Sequence, residues 1–247
     1  MSASDILTLA LGAALGGFVN GLAGFGTALF ALGFYLTIMP PKQAVAVVVV
    51  CSVVVGAQGL WVVRHAIFAR PARLMRFLVP GLFGIPLGLW ILSMIEPRGL
   101  KIFIAAMLII YGGYFSLRRS LPTFDRPTPF ADAVVGALGG VLGGAAALSG
   151  ALPTIWCSMR PWPKAETRAV LQPFNFAVLL ITAVMLALDG VYTRHTLTFV
   201  AVALPSAILA GQVGFAVFRV IPDLAFRRLL IVLCLVSGTI LLLRELI

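Results

Sequence analysis

Three uncharged runs, residues 43–63, 169–188 and 196–218, each supply about the 20 apolar residues with which a helix crosses ~30 Å of hydrocarbon. No other feature constrains this chain as much. In lipid every backbone N–H and C=O must find a partner inside the protein, and a helix provides those partners within one segment. The rest of the chain agrees: 61% of residues are hydrophobic, 11% are charged and the mean hydropathy is +1.10, whereas soluble domains carry roughly 25% charged residues. An all-α, polytopic membrane protein is expected. Met1-Ser2-Ala3-Ser4-Asp5 offers no basic n-region and no small-residue cleavage site, so the first apolar segment is expected to stay in the protein.

Glycines and prolines recur in the same order twice. Gly16-Gly17-Phe18-Val19-Asn20-Gly21 aligns with Gly139-Gly140-Val141-Leu142-Gly143-Gly144, and Met39-Pro40-Pro41-Lys42 with Arg160-Pro161-Trp162-Pro163-Lys164. Further on, Pro80 aligns with Pro205, Gly88 with Gly214, Tyr111-Gly112 with Ser237-Gly238 and Arg118 with Arg244, at an offset between about 122 and 126. Glycine and proline mark backbone geometry that side-chain drift does not erase. Residues 1–120 and 121–247 are therefore expected to be two membrane repeats that together make one transport domain. Each copy reads as a long glycine-interrupted segment (5–39 and 130–159) followed by three spans. The spans are 43–63, 77–95 and 99–117 in the first copy, and 169–188, 196–218 and 224–243 in the second.

The net charge of +10 is spread over short loops between apolar runs, a pattern that speaks for membrane orientation and against a nucleic-acid partner. If each long segment crosses once, the 18 Lys and Arg residues divide evenly between the two faces. If each returns to its own side as a pair of half-helices, 13 of the 18 gather on one face, which the positive-inside rule makes cytoplasmic. Re-entrant hairpins with arms of about 13 to 16 residues are expected on this basis, short of the ~17 needed for a crossing. Three spans per copy then invert the second repeat and leave both termini outside the cytoplasm.

Matching interruptions in inverted repeats point to a binding site at the membrane midplane. The interruptions are Asn20-Gly21-Leu22-Ala23-Gly24-Phe25-Gly26-Thr27 and Gly143-Gly144-Ala145-Ala146-Ala147-Leu148-Ser149-Gly150. At the tip of each hairpin the second arm begins with free N–H groups and about half a positive charge, and two such tips suit an anion. The competing reading is that these glycines only let helices pack closely. Polar residues within apolar spans are few, and they concentrate at the breaks and in Gln172-Pro173-Phe174-Asn175, with Ser52, Gln58 and Thr154 nearby in the pattern. Asn20, Gly21, Gly24, Gly26, Thr27, Ser149, Gly150, Gln172 and Asn175 are the candidate substrate-binding residues. Interhelical hydrogen bonding is the alternative role for each polar one. Arg168 is expected at the cytoplasmic mouth, as an attractor of anions or a snorkelling anchor.

All eight acids fall in loops or at span ends and neither His65 nor His195 lies deep, so no metal, cofactor or carboxylate chemistry is expected in the membrane. Any coupled proton is expected to ride on the substrate. Cys51, Cys157 and Cys234 are isolated and read as small buried apolar residues.

With these residues in view, the chain resembles the TauE/SafE family of sulfite and organosulfonate exporters, the TSUP transporters, over nearly its whole length. The resemblance rests on the duplicated layout, the glycine-rich starts Gly16-Gly17 through Gly26 and Gly136 through Gly150, the pattern Pro41-Lys42-Gln43-Ala44, and the stretch from Trp162 to Asn175. Ala145-Ala146-Ala147 departs from the glycine usual in the second turn. The resemblance implies a non-enzymatic transporter that exports a small sulfur-containing anion such as sulfite or a sulfonate across a bacterial plasma membrane. Its partners are then that anion and the surrounding lipid, with self-association into a homo-oligomer left open. Two other readings are carried: an integral membrane enzyme acting on a lipid phosphate, and a passive channel or scaffold.

Overall fold

The computed structural model describes residues 2–69, 71–94, 97–116 and 128–246. Arg70, Glu96, Arg118, Arg119, Asp125, Arg126 and the expected repeat boundary after residue 120 lie outside the described residues. So do the side chains of Lys101, Tyr111, Asp223, Arg227, Cys234, Ser237, Arg244 and Glu245. Among the described residues there are ten helices and no strand. They are α1 (Ala3–Ala23), α2 (Thr27–Tyr35), α3 (Pro41–Ala69), α4 (Pro71–Met94), α5 (Pro97–Ser116), α6 (Pro129–Ala146), α7 (Ala151–Ser158), α8 (Lys164–Leu188), α9 (Arg194–Val220) and α10 (Asp223–Leu246). Six of them, α1, α3, α4, α6, α8 and α9, are long and apolar enough to cross a membrane. Large apolar side chains such as Phe83, Leu209 and Val220 stand exposed around the outside, as lipid-facing residues do and soluble surfaces do not.

Local chemistry sets the helix ends. Ser2 caps α1 in a reciprocal box with Asp5. Gly24, with φ 84°, stops α1, its N–H bonding Asn20 O at 2.7 Å. At the end of α6 the N–H of Ala147 reaches Gly143 O and that of Leu148 reaches Leu142 O, a Schellman closure that sets Ala147 at φ 56°. Proline opens α3, α4, α5 and α6, where its missing N–H costs nothing.

Arms of about 13 to 16 residues, each too short for a crossing, are not what forms: α1 and α6 are long enough to cross, and only α2 and α7 are short. The arms are 21 and 9 residues in the first long segment and 18 and 8 in the second. The reason lies in the glycines. Most of those in 16–21 and 139–144 do not interrupt the helix but thin it where another helix passes. A Cβ on Gly17 would fall 2.3 Å from Ala207 O, and one on Gly21 would fall 2.1 Å from Gly211 O, so α1 lies against α9 backbone to backbone. On the other side α6 lies against α4 in the same way, with Gly140 over Gly81 O and Gly144 2.5 Å from Ile85 O. Only Gly24 and Gly26 (φ 101°), with Ala147, hold the left-handed conformation that ends a helix inside these two segments.

The arms fold back on each other. Tyr35 at the end of α2 donates to Leu9 O of α1 at 3.2 Å. Just beyond α7, Arg160 pairs with Asp132 in the first turn of α6 at 3.3 Å, and Trp156 of α7 donates to the same carboxylate at 2.7 Å. Further contacts tie the ends of the long helices. Lys42 pairs with Asp189 at 3.1 Å, joining the start of α3 to the end of α8. Arg73 pairs with Glu166 at 2.6 Å, and Lys164 donates to Phe218 O at 3.1 Å, joining the starts of α4 and α8 to the end of α9.

Candidate functional site

The two interruptions touch. Gly150 has an ordinary helical φ of −80°, so its lack of a side chain serves space and not a turn: a Cβ there would fall 2.4 Å from the Cβ of Phe25. Phe25, between Gly24 and Gly26, is thereby seated on the first residues of α7. Gly26 and Gly150, the N-caps of α2 and α7, supply no side-chain cap. The starts of both short helices therefore have no side-chain acceptor from their caps, though Leu29 N–H bonds Gly26 O and Ala151 N–H bonds Leu148 O, each at 3.1 Å, and the two interruptions touch where Phe25 meets Gly150.

Polar side chains collect around this meeting point. Asn20 is fully buried; its Nδ2 donates to Thr27 Oγ1 at 2.9 Å and to Ser52 O of α3 at 3.3 Å, while its Oδ1 has no donor. Ser149 Oγ donates to Asn175 Oδ1 of α8. Gln172, one turn earlier on α8, lies flat on α3, its Nε2 donating to Gly56 O at 3.1 Å. Glycine makes room for it, since a Cβ on Gly59 would fall 2.5 Å from its Oε1 and one on Gly24 2.8 Å from the same atom. Thr154 Oγ1 on α7 is buried without a partner. Of the expected site residues, Asn20 and Thr27 are joined directly, Ser149 and Asn175 are joined directly, and Gln172 meets Gly24. Gly21 faces α9, and Gly26 packs on Val19. Gln58 pairs instead with Gln212 at 2.6 Å on the outer side of α3 and α9.

Arg168 is not at the mouth. Helix α8 starts five residues earlier than the expected 169, which draws Arg168 inside, where it is 0% exposed. Its Nη2 donates to Gly21 O at 2.7 Å and its Nη1 to Leu22 O at 3.1 Å, while Nε and Nη2 both reach Gln172 Oε1 at 3.2 Å. The guanidinium lies 4.1 Å from the Phe218 ring centroid and 5.3 Å from that of Phe215. A cation is thus set on the last carbonyls of α1, the negative end of that helix, and its partners among the described residues are all neutral. Among the acids expected in loops or at span ends, Asp132 does lie at a helix end but is enclosed there. Asp132 is buried at the start of α6, held by Arg160 and Trp156, with Arg76 at 4.0 Å; it lies at a helix end, away from the interruptions.

Sequence reasoning missed Phe25, Gly56 and Gly59. The Gly24-Phe25-Gly26 triplet, a large residue between two turn-formers, was the available signal for the first. Nothing in the order of residues marks Gly56 and Gly59 as a bed for a side chain more than a hundred positions away.

The family described as sulfite exporter TauE/SafE matches residues 9–241, nearly the whole chain. No curated protein and no solved structure matches it.

Proposed function

Because the chain belongs to the sulfite exporter TauE/SafE family, we propose that it exports a small sulfur-containing anion, sulfite or a sulfonate, through a site where the starts of α2 and α7 meet. One observation carries this reading: two helix N-termini without side-chain caps lie in contact through Phe25 and Gly150, ringed by buried hydroxyls and amides and by Arg168. Positive helix ends favour an anion without a titratable group, and hydroxyls and amides supply directional donors to its oxygens. Asn20, Thr27, Ser149, Gly150, Gln172 and Asn175 line the site in this reading, Gly24 and Gly26 shape its turn, and Gly21 sets the depth of α1 against α9.

The same reading treats residues 1–120 and 121–247 as inverted repeats with re-entrant hairpins. Support comes from the packing: Gly17 on Ala207, Gly21 on Gly211 and Gly214 on Phe18 O correspond, by the sequence offset, to Gly140 on Gly81, Gly144 on Ile85 and Gly88 on Val141 O. The α1–α2 hairpin leads into the end of the bundle that holds Lys42 and Asp189, and the α6–α7 hairpin opens beside Arg76, at the end that holds Arg73 and Lys164. In this reading the second, more basic end faces the cytoplasm by the positive-inside rule, both termini lie outside, and the membrane is the bacterial inner membrane that the family implies.

Purified protein in liposomes provides the test. Sulfite or sulfonate flux is expected; phosphate release from a lipid phosphate without flux would replace the transporter by an enzyme, and neither activity would leave a scaffold. Impermeant labelling of a cysteine placed at Ser2 is expected from the non-cytoplasmic side, and labelling from the cytoplasmic side alone overturns the hairpin topology.

A further inference from the structure

The amide of Asn20 stands where α1 stops and is completely enclosed. Its two hydrogen bonds decide which way round it lies, because turning it over would set Oδ1 against the Ser52 carbonyl, acceptor against acceptor. The orientation is therefore fixed by a backbone oxygen. It leaves Oδ1 as a buried acceptor with no donor, the kind of atom that native structures rarely contain without a reason. At the other interruption Thr154 Oγ1 is buried and unpartnered in the same way. An oxyanion stripped of protons has nothing to offer Oδ1, since both are acceptors.

The groups around Asn20 cannot provide the missing donor by titrating. Helix α8 presents Arg168, whose Nη2 and Nη1 bond Gly21 O and Leu22 O. Helix α3 carries Cys51 beside Ser52, and α2 carries Tyr35, whose hydroxyl is bonded to Leu9 O at the open end of the hairpin. Helix α9 has no ionisable residue from Thr196 to Phe218. There is no carboxylate and no imidazole among them. A proton carried by a ligand would supply the donor.

We propose that Asn20 Oδ1 accepts a hydrogen bond from a proton carried by the substrate, so that the site takes a singly protonated oxyanion, hydrogen sulfite in preference to the sulfite dianion. This rests on the transport reading above. No bond is made or broken; the proton stays on the anion and crosses with it. A site that hydrogen-bonds a ligand O–H discriminates strongly against the form that lacks it, because the buried acceptor is then left facing another acceptor.

Proteoliposomes of the full chain, with equal pH on both faces, test this. Initial sulfite flux by the unaltered protein is expected to follow the hydrogen sulfite fraction, falling about tenfold per pH unit once the dianion predominates. Asn20→Leu removes the buried acceptor that turns the dianion away, so its flux is expected to fall about tenfold on the acid side and to lose the tenfold-per-unit decline on the alkaline side as the dianion becomes a substrate, whereas structural damage alone lowers both by one factor. Asn20→Ala, which removes the same acceptor with a smaller side chain, flattens the profile too and serves if Asn20→Leu does not insert. Sulfite flux that is constant or rises with pH, or variants that lower both limbs equally, overturn the proposal. Absence of any sulfite or sulfonate flux from the unaltered protein overturns the transport reading first, and this one with it.

Discussion

Replacing Gly150 by alanine sets a methyl carbon 2.4 Å from the Cβ of Phe25, 2.9 Å from its Cγ and 3.2 Å from its Cδ2. Carbon atoms in contact prefer about 3.5–4.0 Å, so one of the two interruptions must move by roughly an ångström. The nearest atom is a Cβ, which no rotamer change can withdraw; the backbone at 24–26 has to give. Forcing a methyl into a closed interior of this kind costs about 1–3 kcal/mol. Unfolding of the detergent-solubilised protein measures it, and sulfite flux in liposomes shows whether the spacing of the α2 and α7 starts matters to transport. The distances also dictate the rescue. Phe25→Ala removes the atoms at 2.9 and 3.2 Å but keeps the one at 2.4 Å, so it relieves little, while Phe25→Gly removes all three. In a double-mutant cycle Gly150→Ala with Phe25→Gly is expected to show a coupling of about 0.5–3 kcal/mol, well above the ~0.3–0.5 kcal/mol scatter of independent sites. A neutral Gly150→Ala, or a cycle that adds up without coupling, would refute the claim that the two interruptions press on each other.

Arg168→Met is expected to destabilise by about 1–3 kcal/mol, because Gly21 O, Leu22 O and Gln172 Oε1 all lose their donor while no charge is left unpaired; a variant as stable as the original protein in denaturant titration would mean that burying the charge had offset its bonds. Asn175→Ala leaves Ser149 Oγ without its acceptor, a loss of about 1 kcal/mol, yet sulfite flux is expected to fall about tenfold; equal losses in flux and stability would return Asn175 to a packing role. Ala147→Gly is expected to raise stability by up to about 1 kcal/mol, since a left-handed non-glycine residue costs about 1–2 kcal/mol and glycine's added freedom in the unfolded chain recovers only part. A lower unfolding midpoint for that variant would show that the alanine methyl makes a contact worth more than the strain.

The spans were legible because their signal is local. A run of 20 uncharged residues has one stable arrangement in lipid, and residues 43–63, 169–188 and 196–218 all fall inside helices, with ends displaced by a few residues where proline or an N-cap sets the boundary. The two interruptions were legible for a related reason, since Gly24 and Gly26 sit where the backbone turns left-handed. Their extent was not. Asn20 and Gly143 looked like break residues, but glycine has two uses, turning a chain and thinning a helix, and only the neighbouring backbone distinguishes them. Gly21 and Gly144 prove to be of the second kind.

From the residue order alone came the helical class, the membrane as solvent, and the twice-repeated order of glycines and prolines. Each follows from composition or period within a few turns of chain, or from a pattern seen twice. Tertiary structure alone decided that Arg168 turns inward onto the last carbonyls of α1, that Gln172 lies in a bed of Gly56 and Gly59, that Phe25 rests on Gly150, and that Asn20 is left with an unanswered oxygen. The physical reason is distance along the chain. Apart from Asn20's own neighbourhood, these contacts join residues more than a hundred positions apart, and no local periodicity carries information about which two distant surfaces will be pressed together.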